Sequence, residues 1–382
     1  MTIEPSQRVQ RVPPSGIRRF FELAEQQEDI ISLGVGEPDF SAPWSAREAA
    51  IASLEAGKTS YTANRGMLDL REHIDVDVEQ RYGLDYDPEE EILVTTGASE
   101  GVDLALRAIV DPGDTVAVAQ PAYVSYVPGA IFAGGEPLAV PTRREDEFKL
   151  TREVLEQHGA GEAQVLVMNY PNNPTGATMT ETELKAVAAF ARENDLIVLS
   201  DEIYSELSYD HEHTSIATFP RMRERTIVFN GFSKAYAMTG LRLGYALGPP
   251  EVIAAMNRIH QYTMLSAPTT PQYAAIEALE RCDSDVEEMR QQYNRRRRFV
   301  LSRFEEMGVD CFPASGAFYA FPESPWDDSE AFAEALLEDE GVAVVPGTAF
   351  GEGGAGHLRV SYATGLGDLK EALARFESFI AR

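Results

Sequence analysis

Leu196–Ile197–Val198–Leu199–Ser200–Asp201 is the stretch from which the fold can be read. Four consecutive apolar side chains, two of them β-branched, describe a strand from Leu196 to Ser200 buried on both faces, with a carboxylate at its end. Thr115–Val116–Ala117–Val118–Ala119, Val165–Leu166–Val167–Met168 and Thr226–Ile227–Val228–Phe229–Asn230 have the same character. Between two of these runs, Glu181 to Arg192 carries Leu184, Val187, Ala188 and Ala191 at helical spacing. Continuously apolar strands alternating with helices specify an α/β fold whose mainly parallel central sheet is covered by helices on both faces. Such sheets bind ligands just beyond the carboxyl ends of their strands. That rule selects Asn169 to Gly176, the segment beginning at Asp201, and the turn from Asn230 to Lys234. Together these places hold an amide, a carboxylate, a hydroxyl and a lysine.

The C-terminal part differs. Helix over Arg295–Met307, strand over Ala317–Phe321, helix over Ser329–Leu337 and short strands over Val342–Val345 and Leu358–Tyr362 describe a smaller α+β domain packed on the first. The expected division is an N-terminal segment (1–45) packing with the small domain, a large domain (46–290) and a small domain (291–382). Gly351–Gly356 is expected as one surface loop, and Arg295–Arg298 as a solvated helix face.

The 382 residues are 44% hydrophobic, ample for a large core. No apolar run reaches 18 residues, and the polar, proline-bearing start lacks a secretory core, so a cytoplasmic protein with no membrane partner is expected. A net charge of −29 argues against nucleic acid as a partner. The carboxylates are spread along the chain, and only five of 33 basic residues are lysines. Acidity of this kind points to a halophilic protein whose self-repulsion is screened by salt; an ordinary acidic protein is the alternative that composition leaves open. Cys282 and Cys311 have neither metal nor disulfide spacing. His211 and His213 flank Glu212 in an acidic stretch read as a surface loop, with no metal site.

Lys234 lies past a strand in the tight turn Asn230–Gly231–Phe232–Ser233–Lys234. A desolvated amine there loses pKa and becomes nucleophilic toward an aldehyde. Arg242, between Gly240 and Gly244, could share an anion with Ser233, unless the segment is merely a surface loop. Asp201 at a buried strand end needs a partner, such as a protonated ring nitrogen, although with Tyr204 it could also start a helix. Thr95–Glu100 opens a helix with small residues, an anion site or a plain cap. Asn173 lies in a rigid turn, Tyr123 could stack on an aromatic ring or belong to the core, and Arg359 in an apolar strand calls for a carboxylate, from a substrate or from the protein. Gly36 would let backbone approach the same ligand.

Taken in order, these segments resemble the class I/II aminotransferases, the aspartate-aminotransferase-like enzymes of pyridoxal-phosphate (PLP) fold type I. The resemblance runs from Pro13–Pro14–Ser15–Gly16–Ile17 to Arg359 and is carried by Asn173–Pro174–Thr175–Gly176, Asp201–Glu202–Ile203–Tyr204 and Ser233–Lys234 followed by Gly240–Leu241–Arg242–Leu243–Gly244–Tyr245. It implies a PLP-dependent aminotransferase that exchanges amino groups between L-amino acids and 2-oxo acids by a ping-pong mechanism, with Lys234 holding PLP as a Schiff base. It further implies that Asp201 pairs with the ring nitrogen, that Asn173 and Tyr204 bind the ring's 3-oxygen, and that Tyr123 stacks on the ring. Ala98, Ser99, Ser233 and Arg242 would hold the phosphate, and Arg359 the substrate carboxylate with Gly36, Tyr123 and Asn173 nearby. Tyr61 would reach the phosphate in the neighbouring subunit of a homodimer, and the Asn173–Pro174 bond would be cis. Gly231 replaces a hydroxyl found in some members, and no second arginine for a dicarboxylate can be placed, so the donor stays open among aspartate, aromatic and broad specificity. A β-eliminating carbon–sulfur lyase on the same scaffold is the alternative; a PLP-binding regulator would need a DNA-binding segment for which the motifs leave no room.

Overall fold

A computed structural model describes residues 4–14, 16 and 29–382; Ser15 and Ile17 of the N-terminal motif lie outside the described residues. The strands are β1 (Ile31–Ser32), β2 (Ile92–Thr95), β3 (Thr115–Gln120), β4 (Glu136–Pro141), β5 (Val165–Asn169), β6 (Ile197–Asp201), β7 (Thr226–Gly231), β8 (Gly244–Leu247), β9 (Tyr319–Ala320), β10 (Val342–Ala343), β11 (Val345–Pro346) and β12 (Leu358–Ser361). Seven of them form the main sheet in the order β2-β8-β7-β6-β5-β3-β4. Only β8 runs against its neighbours β7 and β2; the pairs from β7 through to β4 are all parallel.

The pleat explains why these strands read as unbroken apolar runs. Successive side chains point to opposite faces, and both faces are covered. Val116, Val118, Val165 and Val167 enter one core with Leu104 and Leu106 of the helix Ala98–Ile109. Ala117, Ala119, Leu166 and Met168 enter another with Leu184, Val187 and Ala188 of the helix Glu181–Glu193. That helix starts at a capping box in which Thr180 and Glu183 exchange side-chain and backbone hydrogen bonds, worth about 1 kcal/mol.

The C-terminal elements form an antiparallel sheet, β11-β12-β9, and β1 pairs in parallel with β10 through Ile31↔Val342 and Ser32↔Ala343. A core of their own holds Leu33, Phe304, Phe318, Phe332, Leu336, Val360 and Phe376 together with Tyr204 and Leu207 from the main-sheet side. The helix expected from Arg295 begins about three turns earlier, at Asp283, because Val286, Met289 and Tyr293 extend the buried stripe. It runs through the 290/291 position without a break. The strand expected over Ala317–Phe321 pairs only at Tyr319–Ala320, Ala317 having a left-handed φ of 54°.

One surface expectation is corrected. Arg297 is buried, because its guanidinium is paired with Asp210 and also donates to the Ala314 carbonyl; Arg296 reaches Asp39 and lies over Phe40. Gly351–Gly356 is the expected surface loop, with Glu352, Ala355 and Gly356 exposed, and it rests on the end of β3: a Cβ at Gly353 would lie 2.8 Å from the Gln120 carbonyl.

Candidate active site

The carboxyl ends of β5, β6 and β7 open into one cavity of about 530 Å³. The sheet register sets its floor, with Asn169 beside Asp201 and Asp201 beside Phe229. Lys234 follows β7 by three residues. Gly36, Ala98, Ser99, Tyr123, Asn173, Asp201, Tyr204, Ser233, Lys234, Arg242 and Arg359 all line this cavity. Of the site residues expected from sequence, only Tyr61 lies elsewhere, 80% exposed.

Lys234 Nζ donates to the Gly36 carbonyl at 2.6 Å and lies 5.7 Å from the ring centres of Tyr204 and Phe318. Burial, reinforced by the positive charge of Arg359, pushes its amine down to about 8. Asp201 is the counterpart. Burial pushes its carboxyl up to about 6, against the stabilising hydrogen bonds from Tyr126 and from the Ile203 amide. Tyr126 Oη donates to Asp201 Oδ2 at 2.6 Å, and Ile203 N to Oδ1 at 3.1 Å. The Asp201 side chain thus closes a local turn within its own segment, and Tyr204 begins a short 3-10 turn over Ser205–Leu207.

Asn169 joins two of the predicted places. Its Nδ2 donates to the Asp201 carbonyl at 2.8 Å, and its Oδ1 accepts from Asn173 N at 3.0 Å. The turn beyond carries cis bonds at Tyr170–Pro171 and Asn173–Pro174, the second as the resemblance implied. Asn173 Oδ1 then accepts from Arg359 Nη1 at 3.0 Å, while Arg359 Nη2 donates to the Gly34 carbonyl. The guanidinium lies 4.6 Å from the Tyr319 ring centre and 4.8 Å from that of Phe350. It is buried, and its Nε has no hydrogen-bond partner among the described residues. A charge buried in this way is costly until an anion arrives.

The opposite end of the cavity suits a phosphate. The helix Ala98–Ile109 begins there at Gly97 with no side-chain cap, so of the two readings left open for Thr95–Glu100 the plain cap is absent. Instead Glu100 Oε2 accepts the Thr96 amide, and its Oε1 is bonded to His260. The first amides of a helix have no partner within it and attract anions. Gly97 has φ 80°, and a Cβ there would lie 2.5 Å from Arg242 Nη2. A Cβ on Gly244 would lie 2.5 Å from the Ala98 amide. Both glycines keep Arg242, Ala98 and Ser99 within reach of one anion.

An amine, a buried carboxylate at a strand end, a helix start with a nearby arginine, and an unsatisfied guanidinium together fit PLP and an amino acid: an aldehyde, a ring nitrogen, a phosphate and a carboxylate. Tyr126 and Tyr319 also line the cavity but escaped sequence reasoning, and Asn169, which opens one of the selected segments, lines it too. Tyr126 had a weak signal, three residues after Tyr123 beyond β3. Tyr319 had none, since its strand reads as core. His213 is corrected from a surface loop: its side chain is 9% exposed and bonded to the buried Glu202, which Ser200 and Ser215 also bind. Among the described residues no group of side chains could hold a metal.

The family model for aminotransferase class I and II matches residues 28–376. A putative aminotransferase of Bacillus subtilis, YugH, is 49% identical over all of this chain and 99% of its own. Aromatic-amino-acid aminotransferase 2 of Thermococcus litoralis is 43% identical, covering 98% of each chain. Among solved structures, the aspartate aminotransferase of Thermus thermophilus with maleate superimposes with a TM-score of 0.93 at 40% identity, covering 99% of this chain and 100% of that one.

Proposed function

Because this chain belongs to the class I and II aminotransferases and is a PLP-dependent aminotransferase, we propose that Lys234, Asp201 and Arg359 divide the work of its cavity as follows. Lys234 holds the coenzyme and moves the proton at the substrate Cα. Asp201 pairs with the ring nitrogen, Tyr204 and Asn173 bind the ring's 3-oxygen, and Tyr123 covers one ring face. Ala98, Ser99, Ser233 and Arg242 hold the phosphate. Arg359, with Asn173 and Gly36 beside it, binds the α-carboxylate. When bound, the coenzyme supplies an aldehyde that takes up the amino group and a ring that withdraws electrons from Cα. The single observation that carries this reading is one cavity lined by a half-buried amine, a buried carboxylate and a buried guanidinium whose Nε has no partner among the described residues. The carbon–sulfur lyase alternative is not favoured, since the relatives above are aminotransferases.

The finer proposals rest on narrower grounds. The cations that line the cavity are Lys234, Arg242 and Arg359, and each already has a role. Among the described residues no further lining cation remains for a side-chain carboxylate, whereas Tyr123, Val124, Ile203 and Tyr319 offer apolar surface. This supports uncharged and aromatic L-amino acids as donors ahead of aspartate. A homodimer is supported by Tyr61 standing exposed outside its own cavity, and by Trp44, Ile51 and Leu54 exposed along one helix. The two unpaired cysteines suit the cytoplasm, and the charge of −29 suits one of high salt. The chain divides into an N-terminal segment (1–45) packing with a small domain (291–382), and a large domain (46–290); the separate C-terminal core that β1 joins supports this division. The test is a panel of amino acids followed by coenzyme absorbance, then reversed with 2-oxoglutarate. Phenylalanine and tyrosine should convert the bound coenzyme faster than aspartate; no conversion by any common amino acid would overturn the assignment of roles.

A further inference from the structure

We propose that Tyr126 is a positioning residue that holds the Asp201 carboxylate ionised and fixed in orientation, a role that rests on reading Asp201 as the partner of the coenzyme's ring nitrogen.

Among the described residues, Asp201 has two donors to its carboxylate. Tyr126 Oη supplies one to Oδ2 at 2.6 Å, and the Ile203 amide supplies the other to Oδ1 at 3.1 Å. With one donor on each oxygen, the carboxylate plane is pinned. Asn169 fixes the backbone behind it through the Asp201 carbonyl. The amide comes from Asp201's own turn, but the phenol comes from across the sheet, 75 residues earlier. Tyr126 cannot swing away: it is the first residue of the helix Tyr126–Ala133, is 2% exposed, packs edge-on to Tyr123 and belongs to the core that holds Val118 and Val167.

The surrounding charges make this bond matter. Asp201 faces the buried Glu202 next to it and Lys234 from the turn after β7; the nearby phenols are Tyr126 and Tyr123 from the segment after β3, and Tyr204 from its own segment. Burial and the Glu202 charge oppose ionisation of Asp201, while the Tyr126 bond and Lys234 favour it. Burial and the Asp201 charge push the Tyr126 phenol well above its ordinary range, so it remains a donor at working pH. An uncharged donor stabilises the anion without competing with the ring nitrogen for it. Removing that donor should raise the pH at which Asp201 ionises.

Tyr126→Phe keeps the ring packing and deletes the hydroxyl. The experiment measures the dissociation constant of PLP from the apoprotein between pH 5.5 and 8.5, together with kcat and KM, for wild type, Y126F and D201N. The expected result for Y126F is a coenzyme affinity weakened about tenfold at pH 6 and much less at pH 8.5, with the acidic limb of kcat moved up by about one pH unit and KM within about twofold. D201N separates the two readings. If D201N binds and turns over like wild type, the assignment of Asp201 itself fails. If D201N collapses but Y126F keeps the wild-type pH dependence, or loses affinity equally at every pH, Tyr126 is only a packing residue and the proposal is overturned.

Discussion

The hydroxyls of Tyr204 and Tyr319 lie 2.8 Å apart, both buried, one beyond the end of β6 and the other on β9 of the C-terminal sheet. This bond ties the two sheets together at the cavity itself. A Cβ on Gly36 would lie 2.5 Å from the Tyr319 hydroxyl, so the glycine is needed for the three segments to meet. Tyr319 also lies under the Arg359 guanidinium. The proposed carboxylate pocket is therefore built from both parts of the chain.

Arg359→Lys keeps the charge but loses the planar fork and its stacking on Tyr319 and Phe350. Bidentate recognition of a carboxylate needs that fork. KM for the amino acid should rise by about 10- to 100-fold, while the coenzyme dissociation constant stays within about twofold. Steady-state kinetics with one donor, beside a coenzyme titration, checks both; an unchanged KM would remove Arg359 from the substrate site.

Lys234 should destabilise the apoprotein. Its folded pKa is about 8 against an ordinary 10.5. Below pH 8 both folded and unfolded chains carry the proton, and the folded one bears the full penalty of burying the charge. Between pH 8 and 10.5 the unfolded chain alone stays protonated, so stability rises with pH and the penalty disappears. Lys234→Met should therefore stabilise the apoprotein at pH 7 by roughly 3 kcal/mol in urea unfolding, and by much less at pH 10. The same variant should retain no borohydride-reducible coenzyme. A variant no more stable than wild type at pH 7 would mean the amine is not desolvated.

Gly97→Ala places a methyl group against Arg242 at a φ of 80°. With ψ at 161° this is a backbone region essentially reserved for glycine, where another residue costs about 1–3 kcal/mol, and the guanidinium must move. Coenzyme affinity should fall about tenfold or more, and inorganic phosphate should protect the apoprotein less against thermal unfolding. Equal phosphate protection in wild type and G97A would exclude this turn from the phosphate site.

Tyr61 tests the shared site. Hybrid dimers of K234A with Y61A contain one site in which both residues are native. Their activity should exceed the sum of the two separate variants. Failure of mixed populations to complement, with both variants folded and dimeric, would count against a Tyr61 that serves the neighbouring subunit.

Salt should matter more than for an ordinary enzyme of this size. At a net charge of −29, the screening length falls from about 10 Å at 0.1 M to about 3 Å at 1 M. The melting temperature should rise by about 10 °C between 0.1 and 2 M potassium chloride, with activity following. A melting temperature independent of salt would leave the acidity without the role assigned to it.

The sequence by itself determined four adjacent strands of the seven-stranded main sheet and the chemistry at their carboxyl ends. β3, β5, β6 and β7 are apolar on both faces, so their ends could be located to within a residue or so, and strand ends are where such sheets bind. Asp201, Asn173 and Lys234 were legible because a carboxylate, an amide and an amine there need partners; their specific roles came from the ordered motifs. What only the tertiary structure decided were contacts between distant segments. Tyr126 meets Asp201 across 75 residues, Tyr204 meets Tyr319 across 115, and Arg297 is buried because Asp210, 87 residues away, comes to neutralise it. A buried tyrosine or arginine has the same local pattern whether its polar end meets a catalytic acid, a structural acid or water. Local periodicity records which face a side chain takes; only the packing of strands and helices decides which polar group it finds there.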